Sequence, residues 1–156
     1  MLYKALIYPH LIYCIVVWGS AKTSHLNKLL IQQKRAVRLC TASSFRAPSD
    51  PLFSKLKLLK IMDIYNVYTA LFMFKIKCNN LPTACMSLVS LNVNESVYSL
   101  RSASIFQIKN YRTVIRENSI AVRGPKLWDS LPLEIQYSSS IYTVKKYLTA
   151  YYLSAY

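Results

Sequence analysis

The residues able to do chemistry in this chain are few and widely spaced. Its six acids are Asp50, Asp63, Glu95, Glu117, Asp129 and Glu134. Two-metal phosphoryl chemistry needs paired carboxylates that hold the ions about 3.5–4 Å apart. Here no two acids are adjacent, and none pair at one-turn spacing on a predicted helix. The closest two in sequence, Asp129 and Glu134, are explained by helix capping. The cysteines, Cys14, Cys40, Cys78 and Cys85, form no C-x-x-C pair, and His10 and His25 are the only histidines. A zinc site needs closely spaced thiolates or imidazoles, so no metal site is indicated. With Gly19 and Gly124 as its only glycines, the chain has no glycine-rich phosphate loop. His10 sits in an apolar block and reads as a core histidine. His25 sits in the first turn of a helix without a Cys or Asp partner nearby, and nothing points to a nucleophile triad. The residues predict no catalytic centre, no cofactor and no small-molecule substrate.

Charge gives the functional signal instead. The chain carries 20 Lys and Arg against 6 Asp and Glu, a net charge of +14. Lys4, Lys22, Lys28, Lys34, Arg35, Arg38 and Arg46 all precede the first acid, Asp50. Such a field favours a polyanion, either nucleic acid or an anionic membrane surface. Two regions concentrate it. Lys28, Arg35 and Arg38 fall on one face of a predicted helix, with Lys34 at its margin. Arg101, Lys109, Arg112, Arg116, Arg123 and Lys126 crowd a second region that holds only Glu117 in return. A solvated helix face usually mixes signs, so a purely basic one favours a phosphate-bearing partner.

The elements that position these residues follow from periodicity. Leu2 to Gly19 is nearly free of charge and apolar on all sides. It predicts a helix enclosed by the others, kinked at Pro9 and capped by Gly19. Its run from Ala5 to Trp18 falls short of the roughly 20 apolar residues that span a bilayer. Lys4, the apolar stretch and the small residues to Ala21 have the order of a secretory signal, which Pro9-His10 in mid-stretch disfavours. The expectation is an intracellular protein. Cys14, Cys40 and Cys78 lie on apolar faces and are expected to be buried free thiols. Asn94-Glu95-Ser96 matches a glycosylation sequon, without meaning unless the chain is secreted.

A helix capped by Thr23 or Ser24 is predicted from Ser24 to Thr41, its stripe formed by Leu26, Leu29, Leu30, Ala36, Val37 and Cys40. A linker, Ala42 to Pro51, leads to a short helix starting at Asp50-Pro51 and ending near Leu59. A longer helix from about Met62 to Asn79 is predicted, with Ile61, Ile64, Tyr65, Tyr68, Leu71, Phe72 and Ile76 as its broad apolar stripe and Asp63, Asn66, Ala70 and Lys77 away from it. Asn79-Asn80-Leu81-Pro82 ends it. A helical turn is expected near Cys85 to Val89, and a solvent loop around Asn92 to Ser96. Ile105, Phe106 and Ile108 form a candidate strand that would pair with Arg112 to Ile115. A helix from Ser119 to Trp128 is expected to break or kink at Gly124-Pro125. Another turn starts at Asp129-Ser130-Leu131-Pro132, with Ser130 as its cap. The last helix follows Ser138-Ser139-Ser140, with Ile141, Val144, Leu148 and Tyr151 on one face. The fold class is therefore mostly α, a helical bundle with a candidate short β-hairpin near residues 104–116. Residues 1–80 form one helical segment, 81–103 a linker and 104–156 a second segment packed with the first.

Two blocks carry a resemblance. One is Leu2-Tyr3-Lys4-Ala5-Leu6-Ile7-Tyr8-Pro9-His10-Leu11 with Tyr13 and Val17-Trp18-Gly19. The other is Arg123-Gly124-Pro125-Lys126-Leu127-Trp128-Asp129-Ser130-Leu131-Pro132. Both resemble the carboxyl-terminal region of jockey-like reverse transcriptases from non-LTR retrotransposons. Gln32-Gln33-Lys34-Arg35-Ala36-Val37-Arg38, Pro51-Leu52-Phe53, Leu58-Leu59, Ile64-Tyr65 and Leu71-Phe72 lie between them in the family's order. The resemblance implies that the first block belongs to the thumb, downstream of a palm whose aspartates bind the metals. No Asp-Asp occurs here, so the chain lacks that catalytic centre, and the fingers and endonuclease are missing too. The family commonly has Asn where Asp129 stands, a change that capping tolerates. Met1 would be internal to a longer parent or an artefact of gene prediction. The implied role is a non-catalytic part of an RNA-directed DNA polymerase. It would contact template–primer RNA or DNA phosphates through Lys28, Arg35, Arg38, Arg112, Arg116, Arg123 and Lys126, and would work with the missing upstream polymerase domains. The alternative is a stand-alone basic nucleic-acid-binding module.

Overall fold

The computed structural model describes residues 2–91, 105–108 and 111–156. The chain is mostly helical, and the helices assemble as a bundle around one central helix.

The apolar block at the start is not one enclosed helix. It is three short ones: α1 (Leu2–Leu6), α2 (Tyr8–Ile12) and α3 (Ile15–Trp18). Pro9 lies in the first turn of α2, where its missing N–H is tolerated and where it cannot continue the hydrogen bonding of α1. Cys14 takes a left-handed conformation, φ 49°, and separates α2 from α3. The Trp18 indole N–H donates to the Tyr13 carbonyl at 2.6 Å across that bend. Tyr3 and Ile15 are buried, whereas Leu2, Leu6, His10, Tyr13 and Val17 are exposed, so the block has an outer face and His10 is not a core histidine. Gly19 does cap α3, with right-handed helical angles. Its small size matters more than its freedom of φ, because a Cβ there would overlap the Tyr65 ring.

α4 (Thr23–Cys40) buries Leu26, Gln33 and Val37 on one side. Neither Thr23 nor Ser24 caps it; Lys22 stands at that position without a side-chain bond. Thr41 closes the other end, its hydroxyl donating to the Val37 carbonyl at 3.0 Å. α5 (Asp50–Leu56) starts at Asp50-Pro51 and stops three residues before Leu59, because Lys57 turns left-handed at φ 50°.

α6 (Ile61–Lys77) is the central helix. Ile61, Ile64, Tyr65, Val67, Thr69, Ala70, Leu71, Met73, Phe74 and Ile76 are all buried, so it is enclosed on more sides than its stripe implies, and Ala70 is covered too. Asn79 at φ 54° ends it. α7 (Thr83–Met86) is a single turn. Among the described residues the candidate hairpin does not form. Phe106 makes an isolated antiparallel bridge with Leu91 instead. Val114–Glu117 is a helical turn, α8, started from extended Thr113. A strand pair this short is marginal alone, and the local helical preference of Arg116 and Glu117 wins. The loop expected around Asn92 to Ser96 lies outside the described residues, as do Arg101, Lys109 and the Asn110 turn.

α9 (Ile120–Asp129) runs through Gly124-Pro125 without breaking, with both residues buried. Pro125 leaves one helical hydrogen bond unmade, but packing on α6 holds the helix together. A Cβ on Gly124 would stand 2.5 Å from the Met73 sulfur, so glycine sets how closely α9 approaches α6. α10 (Leu133–Gln136) follows Pro132. Ser130 does not cap it; its hydroxyl turns back to the Leu127 carbonyl at 2.7 Å. The buried Gln136 amide closes the end of α9 instead, donating to the carbonyls of Leu131 at 2.8 Å and Trp128 at 3.1 Å. α11 (Ile141–Leu153) buries Val144 and Leu148 against α6 and leaves Ile141 and Tyr151 exposed.

Among the described residues, three apolar clusters fill the interior. The largest joins Phe74, Met73 and Ile76 of α6 with Phe106, Trp128, Ile135, Val144 and Leu148. A second packs Tyr3, Val37, Phe53 and Leu58, and a third Ile15, Ile61, Ile64 and Tyr65. The cysteines are free, but Cys14, Cys40 and Cys78 are exposed, contrary to expectation. Each lies at a bend or helix end.

Candidate nucleic-acid interface

α4 presents its basic side to solvent because its opposite side is pinned by Gln33. The Gln33 amide nitrogen donates to the Tyr3 hydroxyl and to the Leu59 carbonyl, both at 2.8 Å. Its oxygen accepts from the Ile61 backbone N–H at 3.0 Å. One buried side chain thus ties α1, α4 and the start of α6 together and fixes the rotation of α4. Nothing in the sequence distinguishes Gln33 from the exposed Gln32.

Of the basic residues on α4, Lys28 and Arg35 are exposed and Arg38 is half-buried. None forms an ion pair among the described residues. Arg38 uses its Nε–H to hold the Ala47 carbonyl at 2.9 Å, so it also braces the following loop. α4 has no acid along its length. Exposed charge of one sign raises the local potential and attracts an anionic partner.

The second group lies on α8, α9 and, for Arg112, the bend before α8. Arg112 and Arg116 are exposed, and the Arg116 guanidinium lies 4.7 Å from the Tyr111 ring centre. Lys126 reaches Glu117 at 3.8 Å, a long pair between half-exposed groups that contributes little. Arg123 lies over the Tyr65 ring at 5.1 Å, which orients its guanidinium on the surface between α6 and α9. Arg123 and Lys126 together line a cavity of about 260 Å³ with Tyr65, Asn66, Thr69 and Leu127. The structure therefore brings Arg116, Arg123 and Lys126 to neighbouring elements, while Lys28, Arg35 and Arg38 stand on α4. Both α4 and α9 pack on α6.

A third polar cluster is structural. The Tyr156 hydroxyl donates to the Asp63 carboxylate and accepts the Lys60 backbone N–H at 2.8 Å. Lys60 pairs with Asp50 at 3.1 Å and lies over the Tyr156 ring. Burial pushes the Asp63 carboxyl up, partly opposed by the Tyr156 hydroxyl and Lys60. Lys60 holds the exposed Asp50 below the usual carboxylate range.

Among the described residues, no set of His, Cys, Asp or Glu is placed to hold a metal ion, and no helix is long and apolar enough to cross a membrane. No family model, no curated protein and no solved structure matches this chain.

Proposed function

We propose that this chain is the non-catalytic carboxyl-terminal part of a retrotransposon RNA-directed DNA polymerase, acting in the nucleus or cytoplasm beside the upstream polymerase domains. Lys28, Arg35, Arg38, Arg112, Arg116, Arg123 and Lys126 hold template–primer phosphates without reading bases. The carrying observation is the exposed face of α4, which displays Lys28 and Arg35 with no acid on the helix to neutralise them. Alone, the chain has no polymerase activity.

Binding to a random-sequence RNA–DNA hybrid, titrated across salt, tests the reading. Each phosphate neutralised on duplex DNA contributes a slope of about −0.9 in log K against log salt. Engagement of all the named residues gives a slope near about −6 by the same rule. K28E/R35E flattens it and weakens every sequence alike. Salt-independent affinity, or primer extension by the purified chain, refutes the proposal.

A second reading, a stand-alone nucleic-acid-binding module, is favoured by the interior packed around α6. It predicts a cooperative thermal melt of the isolated chain, where a severed fragment with Leu2, Leu6, Tyr13 and Val17 exposed predicts aggregation.

A further inference from the structure

α6 is the central helix, yet one strip of it stays open among the described residues. Tyr68, Phe72 and Lys75 stand at i, i+4 and i+7 on one face; Tyr68 and Phe72 are half-buried and Lys75 is exposed. α3 and α11 both pack on α6, and they wall the strip with Val16 from one and Ile141, Tyr142 and Lys145 from the other. The result is a groove of about 430 Å³ with an aromatic floor. Ile141 and Tyr142, 39% and 72% exposed, are apolar side chains that the bundle leaves uncovered beside it. A groove of this form takes the apolar face of an amphipathic helix, whose anchors recur at i, i+3, i+4 and i+7.

The charges around the groove give the sign of that helix. Lys75 and Lys145 flank the aromatic strip, and neither forms an ion pair among the described residues. Lys145 also lines a smaller adjoining cavity of about 280 Å³ with Lys4 and Lys57, and the two cavities share Tyr68. Among the described residues no acid lines either one. The larger cavity has no side-chain amide or carboxylate to meet the polar edges of a base and no arginine to take a phosphate in a fork, so its chemistry favours a peptide over a nucleotide. A second copy of this chain fits poorly, because its own charge of +14 repels these lysines.

We propose that the groove between α3, α6 and α11 is the docking site for an acidic amphipathic helix of a partner protein. The apolar face of that helix lies on Phe72, Ile141 and Tyr142, and its carboxylates meet Lys75 and Lys145. The site is independent of the nucleic-acid reading, since none of the basic residues named there lines the groove.

The probe is a fluorescein-labelled peptide of about five helical turns, with leucines at i, i+3, i+4 and i+7 and glutamates beside them, followed by anisotropy against the whole chain. A scrambled peptide of the same composition keeps the charge and loses the apolar face. A third peptide keeps the pattern with lysine in place of glutamate. The wild-type chain binds the patterned acidic peptide, and it binds the scrambled and lysine peptides roughly tenfold or more weaker. I141S/Y142S weakens the acidic peptide by roughly tenfold or more. K75E/K145E does the same and takes the lysine peptide instead. K28E/R35E makes an equal change of net charge away from the groove and leaves the peptide affinity within about twofold, which separates docking from general attraction to a cationic chain. Circular dichroism checks the fold of each variant; K75E/K145E, changed at two exposed side chains, serves if the serine variant fails to fold. Absence of binding overturns the proposal, as do equal binding of the patterned and scrambled peptides and an affinity that K28E/R35E lowers as far as K75E/K145E does. Single-stranded RNA or phosphatidylserine vesicles that displace the peptide, and whose own binding falls in K75E/K145E but not in K28E/R35E, assign the groove to a polyanion and also overturn it. Peptide docking without binding of an RNA–DNA hybrid upholds the groove and overturns the polymerase reading alone.

Discussion

Replacing Gln33 by leucine should be the most damaging single change to a polar residue in this chain. The substitution keeps a side chain of similar bulk and removes three hydrogen bonds at once. Tyr3 and Ile61 are 0% and 1% exposed, so the Tyr3 hydroxyl and the Ile61 N–H have no route to water. Each such group costs about 1–3 kcal/mol when left without a partner. The Leu59 carbonyl is half-buried and loses less. Together these give about 3–5 kcal/mol, a large part of the about 5–15 kcal/mol that holds a domain folded. At about 2–4 °C per kcal/mol for a chain of this size, the melting temperature falls by about 6–20 °C. Circular dichroism melts and urea titrations of Q33L and Q32L, side by side, measure it. Gln32 is exposed, and its replacement stays within about 0.5 kcal/mol. Q33E separates bonding from shape: its carboxylate still accepts from Ile61 but repels the Leu59 carbonyl, so the variant recovers stability as pH falls and the carboxyl protonates. A Q33L loss no larger than that of Q32L refutes the idea that this amide sets the rotation of α4.

Stability should fall steeply in alkali. Burial raises the hydroxyl pKa of Tyr3, Tyr8, Tyr152 and Tyr156 above the ordinary 10.0, helped by Tyr68 at Tyr8 and by the Asp63 carboxylate at Tyr156. The folded state keeps these protons when the unfolded chain has lost them, so their contribution is intact below pH 10 and is lost as pH rises beyond it. Tyrosinate absorbance and far-ultraviolet ellipticity should change together above that point, and independent ionisation of these tyrosines in a still-folded chain contradicts the assignment. G19A should cost about 1–3 kcal/mol by overpacking, since the new Cβ overlaps the Tyr65 ring and lies 2.5 Å from the Ile15 carbonyl oxygen; a melt unchanged within error argues against that contact. Cys14, Cys40 and Cys78 should react with a thiol reagent in the native state, with Cys85 slower, and protection of the first three until denaturation contradicts their exposure.

The long helices were legible because each presents several turns of a consistent stripe. α4 and α6 bury residues at helical spacing over several turns, and α11 buries Val144 and Leu148 one turn apart. The short elements were not. Leu2 to Gly19 is apolar on all sides, and apolar content alone says nothing of where a backbone turns left-handed; Cys14 does so without being glycine or asparagine. Val114 and Ile115 suggested a strand by their branching, yet the strand had no partner, and both side chains ended exposed on a helical turn. The basic residues of the candidate interface were visible as charge. The Tyr65 ring that carries Arg123 was not, because an aromatic within an apolar stripe looks like core until the guanidinium over it is seen in three dimensions.

The contact between Tyr156 and α6 has a consequence for biosynthesis. The Tyr156 ring packs against Phe53 and its hydroxyl joins Lys60 and Asp63, across sequence separations of 93 and 96 residues. On the ribosome, α5 and the start of α6 leave the exit tunnel long before residue 156 is made. During that interval Phe53 and the polar ends of Lys60 and Asp63 lack their partner, and the early cluster stays open to chaperones. The first half of the chain therefore closes around Phe53, Lys60 and Asp63 only once Tyr156 has left the tunnel.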